Sequence, residues 1–233
     1  MSRQTAGPER RSFLTYMNAG LASLAAAALG STAEAQTKPA PPAGRWEPAR
    51  HDKDDWLDQL PGKHRVVFDT TNAEGFGEAL AFASNFMRVN RTDYGLQNSD
   101  LVVVIVVRHR STPFAYNDAM WAKYGAAIAT RSKVEDPRSK AAPSVNMFNS
   151  AEYGELLSNR GTTLDSVLKQ GIQLAVCSSA TRAIAGGIAG KGGDTAAVEK
   201  ELIANLLGNS RMVPAGIVAV NRAQERGYSL VRS

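Results

Sequence analysis

The sequence predicts an α/β protein, a three-layer α/β/α sandwich around a mainly parallel sheet of about five strands. Three observations carry this. Short β-branched runs alternate with segments of helical period, the order produced by parallel strands joined through crossover helices. One run, residues 101–107, is apolar at every position, as a strand covered on both faces must be, and it is too short to span a membrane. Finally, 233 residues with 43% hydrophobic and 21% charged side chains suit one globular domain with extensions and exclude disordered, collagen-like and repeat architectures.

The first element is an export signal, expected over residues 1–35. Arg3, Arg10 and Arg11 precede an apolar run over residues 13–30, and Ala33-Glu34-Ala35 forms an A-x-A cleavage site. Arg10-Arg11-Ser12-Phe13-Leu14 resembles the twin-arginine motif, which implies the twin-arginine export machinery as a partner and a periplasmic chain after cleavage near Ala35. Residues 36–62 read as a Pro-rich spacer and N-terminal extension, and residues 63–233 as the α/β domain.

Within the domain, residues 64–69 form a β-branched strand, and Thr71 with Glu74 spells a capping box for a helix carrying Phe76, Leu80, Ala83 and Met87 on one stripe. Residues 101–107 form the central strand. Ser111-Thr112-Pro113 supplies an N-cap and a first-turn proline for a helix through Asn117, Met120, Trp121 and Tyr124. The signals weaken over residues 125–161, where an insertion is expected. Residues 162–170 read as a helix and residues 172–176 as a third strand running into Cys177, Ser178, Ser179 and another helix. Asp194 caps a helix bearing Val198 and Leu202; residues 211–213, 215–226 and 228–231 then read as strand, helix and strand.

Composition narrows function further. The +5 net charge is scattered, without the electrostatic footprint of a nucleic-acid-binding chain. Gly190-Lys191 and Gly75-Phe76-Gly77 are fragments of nucleotide-binding motifs with essential positions replaced, so no cofactor is indicated. With three His and one Cys, a built-in metal site is not expected either, and no G-x-S-x-G elbow is present.

Ligands of open parallel sheets bind at the carboxyl ends of the strands. That edge should hold Asp69, Thr70, Thr71 and Asn72 from the first strand, Arg108, His109 and Arg110 from the second, and Cys177, Ser178 and Ser179 from the third. A cysteine at a helix N-terminus near guanidinium groups is either an activated thiol, with His109 as its proton donor or acceptor, or a buried small hydrophobe. Arg108 and Arg110 either hold a small anion such as a carboxylate, sulfite or sulfonate, or pair with acids and face solvent. Asp69 and Asn72 either meet a ligand or cap the first helix.

The residues 66–72 that open the first helix, the all-apolar second strand, Gly171-Ile172-Gln173-Leu174-Ala175-Val176-Cys177, and the tail Val213-Pro214-Ala215-Gly216-Ile217-Val218 ending in Gly227-Tyr228 resemble the DsrE/DsrF-like family over residues 65–231. The resemblance implies a five-stranded α/β/α fold, frequent homo-oligomers and, in some members, a cysteine that carries sulfur as a persulfide; Cys177 stands at the matching position. The leading expectation is sulfur or thiol transfer through Cys177 with a donor or acceptor protein. The alternative is a non-enzymatic small-anion-binding or oligomeric interaction module with a structural cysteine.

Overall fold

Five strands lie in one parallel sheet in the order β4-β3-β2-β1-β5: β1 His64–Thr70, β2 Leu101–Val107, β3 Gln173–Cys177, β4 Ser210–Val213 and β5 Ser229–Arg232. The computed structural model describes residues 47–233. The expected export signal, residues 1–35, and residues 36–46 of the spacer and extension lie outside the described residues.

The strand order decides where the helices go. Connections from β1 to β4 step in one direction across the sheet, so right-handed crossovers put their helices on one face. These are α2 (Ala73–Tyr94), α3 (Asp118–Ser132), α4 (Leu164–Lys169), α5 (Ser178–Ala189) and α6 (Thr195–Ala204). The connection from β4 to β5 jumps back past three strands, which carries α7 (Gly216–Gln224) to the opposite face, beside the short α1 (Trp56–Gln59). Two cores result. Val103, Ile105 and Val107 of β2 join Phe76, Phe114, Trp121 and Phe148 in the larger one, while Val102, Val104 and Val106 join Trp56, Leu57, Ala219 and Val220 in the smaller. The uniform hydrophobicity of residues 101–107 follows, because every β2 side chain enters one core or the other.

β1 pairs with β2 on one side and with β5, the last strand, on the other. The two ends of the described chain also meet through side chains. The Tyr228 hydroxyl donates to the Leu57 carbonyl at 2.8 Å, and Arg226 Nε donates to Asp58 at 2.9 Å. Residues of the N-terminal extension are therefore part of the folded body, with Trp56 and Leu57 buried.

Three local expectations need correction. Asn72, not Thr71, is the N-cap of α2: its side chain accepts from the Gly75 N–H at 2.8 Å, one residue closer to the helix than the Thr71–Glu74 pair required. Ser111-Thr112-Pro113 does not open the next α-helix. It begins a 3-10 turn over Thr112–Ala115, and α3 starts after Asn117, whose side chain accepts from Met120 N–H. The helix then runs through Gly125 to Ser132, so the irregular segment covers residues 133–163 rather than beginning at Gly125. This segment is anchored. Phe148 packs edge-on to Phe76 and Phe114, and Asn146 donates to the carbonyls of Phe114 and Tyr116 at 2.8 and 3.0 Å. No helix among the described residues is long and apolar enough to cross a membrane.

Candidate functional site

At the carboxyl edge of the sheet there is a topological switch point, where the loops after two neighbouring strands leave toward opposite faces. From β3 the chain turns into α5 on the larger-core face, and from β4 it turns through Pro214 toward α7. The switch point therefore lies between β3 and β4, where Cys177 and Val213 are register partners. Ser179 Oγ donates to the Pro214 carbonyl at 3.1 Å and straps the two loops together. Ser178, half-buried, is the first residue of α5.

Cys177 is only 6% exposed. It is the N-cap of the 12-residue α5, and its Sγ accepts from the Ala180 N–H at 3.4 Å. The sulfur thus meets one of the donors that the first helical turn leaves unpaired. Among the described residues no hydrogen bond joins His109 to Cys177.

Arg108 and Asp69 are the most tightly joined pair on this edge. Nε and one terminal nitrogen of Arg108 donate to the two Asp69 oxygens at 2.6 and 2.8 Å, a fork-on-fork pair with side chains 23% and 8% exposed. These hydrogen bonds hold the guanidinium above its ordinary proton affinity, against the opposing effect of burial; attraction to Asp69 and, more weakly, to Cys177 adds to them. Gly216 makes room for the pair. A Cβ there would lie 2.5 Å from Arg108 Cβ and 2.9 Å from its Cδ. Asn72 is used in capping α2, so Asp69 and Asn72 both have protein partners.

The turn after β2 then reverses direction. Ser111 Oγ, fully buried, donates to the Arg108 and Thr70 carbonyls at 2.8 and 3.0 Å, and His109 sits in the left-handed region at φ 58°. The consequence is a division of labour between neighbours: Arg108 turns to Asp69, whereas Arg110 reaches a cleft between α3 and α5. Its main-chain N–H is held by the Thr71 carbonyl at 3.0 Å, and its buried Nε has no partner among the described residues.

That cleft, about 450 Å³, is lined on the α3 side by Ala127, Thr130 and Arg131, with Lys133 just beyond, and on the α5 side by Ala183, Ile184 and Gly187. Ala127, Thr130 and Arg131 share one helix face through their three- and four-residue spacing. Among the described residues no carboxylate lines the cleft, and Arg110, Arg131 and Lys133 enter no ion pair. The exposed His109 registers the resulting field. Its pKa is lowered, first by burial and then by Arg131, Arg110 and Arg108 in that order.

Of the residues singled out by the sequence, the structure joins Asp69 to Arg108 and places Cys177, Ser178 and Ser179 where β3 turns into α5. It sends Arg110 elsewhere. Arg131 and Lys133 were not nominated, since they fall where an insertion was expected; the helical spacing of Ala127, Thr130 and Arg131 was the available signal. Among the described residues no group of three or more His, Cys, Asp or Glu gathers as a metal site would require. No family model matches the chain, and no curated protein or solved structure is significantly similar to it.

Proposed function

We propose that the chain is a small-anion-binding module whose site is the cleft of Arg110, Arg131 and Lys133. One observation carries the reading: three cations line one cleft with no carboxylate among the lining residues to balance them. An anion there gains charge-assisted hydrogen bonds from the two guanidinium forks and the Lys133 ammonium. The test is calorimetric titration of the full chain with sulfate and with succinate at low ionic strength. Binding of either that weakens about tenfold in Arg110→Ala supports the site. No binding, or binding indifferent to Arg110→Ala, overturns it.

A second reading, sulfur transfer through Cys177, is favoured by the placement of Sγ at the N-terminus of α5, at the switch point between β3 and β4. In that step the Cys177 thiolate attacks the outer sulfur of a donor persulfide; a new S–S bond forms on Cys177 while the donor S–S bond breaks and the donor leaves as a thiolate. Cys177 is buried, so loading requires a local opening that uncovers Sγ. Alkylation of the native chain across pH, with the denatured chain as reference, separates the cases. Rapid modification with an apparent pKa well below ~8.5 favours the thiol, and protection until unfolding removes it.

Membership of the DsrE/DsrF-like family belongs with this proposal, supported by the five-stranded parallel sheet and the cysteine ending its third strand. That membership implies self-association, checked by sedimentation; twin-arginine export to the periplasm is proposed separately, from Arg10-Arg11-Ser12-Phe13-Leu14, and is checked by cell fractionation.

A further inference from the structure

We infer that the ligand of the α3–α5 cleft is a small organic acid, one or two carboxylates on a short unbranched hydrocarbon body, rather than an inorganic oxyanion. The inference rests on the anion-binding reading and adds the chemical class.

The cleft has two different kinds of wall. Arg110, Arg131 and Lys133 provide charge, while the facing α5 surface presents Ala183, Ile184 and Gly187, and α3 adds Ala127. No charged side chain projects from the α5 wall. The small residues on the two helices leave the gap open, and a Cβ built on Gly187 meets nothing within 4 Å. A tetrahedral oxyanion would satisfy the cations and leave this apolar wall wet. At about 450 Å³ the space falls within the range of sites for small organic ligands, which combine apolar walls with a few oriented polar groups.

Shape favours carboxylate over a bulkier head group. Arg110 and Arg131 each offer a planar fork of donors that matches the two oxygens of a carboxylate. Arg110 Nε is already buried without a partner, so a ligand oxygen reaching it would satisfy a donor that the protein itself leaves unpaired. The Thr130 hydroxyl adds no competing charge; it donates within its own helix to the Ala126 carbonyl at 2.9 Å. Charge therefore selects the acid group and the helix walls select the hydrocarbon.

The experiment compares anions of equal charge in the full chain: sulfate against the straight-chain dicarboxylates from succinate to adipate, by calorimetry and by proton NMR of the three histidines. Succinate should bind about tenfold more tightly than sulfate through its two methylenes, with about fourfold more for each methylene added until the cleft is filled. Binding should move the ring signals of His109, raising its pKa as the anion offsets Arg131 and Arg110, while His51 and His64 stay unmoved. Gly187→Leu should remove the chain-length dependence and leave sulfate affinity intact. Sulfate binding as tightly as the dicarboxylates would overturn the organic-acid inference while leaving an anion site. Absence of all binding would remove both, and shifts confined to His51 or His64 would place the anion elsewhere and overturn the inference.

Discussion

Arg108 and Arg110 leave the same strand end two residues apart and meet opposite surroundings. Arg108 is clamped by Asp69 beneath the start of α7, with both carboxylate oxygens used. Arg110 enters a cleft with two further cations and no acid. The difference shows that basic residues at a strand end do not make a site. Where a carboxylate neutralises the guanidinium, its hydrogen-bonding capacity serves the fold; where none does, that capacity stays available for a ligand.

The contrast can be broken from its structural side. Asp69→Ala leaves a partly buried guanidinium without its partner and should cost about 3 kcal/mol of stability, read by denaturant unfolding. A loss below about 0.5 kcal/mol would mean that Arg108 finds water as readily as Asp69. Gly216→Ala comes next. Its methyl would press on Arg108 and on Val106 Cγ1, 3.1 Å away, and overpacking of this kind costs about 2 kcal/mol. The same unfolding midpoint reports it.

From the other side, Arg110→Ala should change stability by no more than about 0.5 kcal/mol, because it breaks no ion pair. A large loss would assign Arg110 to the fold and erase the distinction between the two arginines. The smallest effect is electrostatic. His109 has its folded-state pKa below the ordinary ~6.5, so at mildly acid pH the unfolded chain binds more protons than the folded one. Its contribution therefore weakens stability as pH falls from ~6.5 through the lower folded value, and this loss is absent above that window. Arg131→Ala should raise the His109 pKa toward ordinary and flatten the dependence; an NMR titration that leaves it in place would refute the field described for the cleft.

The alternation of strand and helix was legible because each segment declares its own period, and β2 declared its two-sided burial through residues 101–107. Strand order was not, since nothing local to β5 says that it returns to pair with β1. Asn72 and Thr71 are both good caps, and the choice between them depends on how β1 leaves the sheet. The proline turn at Thr112–Ala115 looked like a helix start because Ser111 has capping chemistry; its hydroxyl instead bonds the carbonyls of Thr70 and Arg108. The candidate cleft was only half legible. Arg110 stood out beside the strand, but Arg131 and Lys133 come near it only through the packing of α3 against α5, a long-range fact that periodicity does not encode.

The pairing of β1 with β5, and the bonds from Leu57 and Asp58 to Tyr228 and Arg226, set a timetable for synthesis. A chain emerging from its N-terminus has made α1, β1 and β2 long before the residues that close them, so β1 keeps one open edge and the Trp56–Leu57 face lacks part of its cover. The neighbouring β1–β2–β3 pairs can form progressively, each against a strand already made. The last side of the sheet waits for Arg232, and until it arrives the growing chain exposes the unpaired β1 edge, the kind of edge onto which another strand can add.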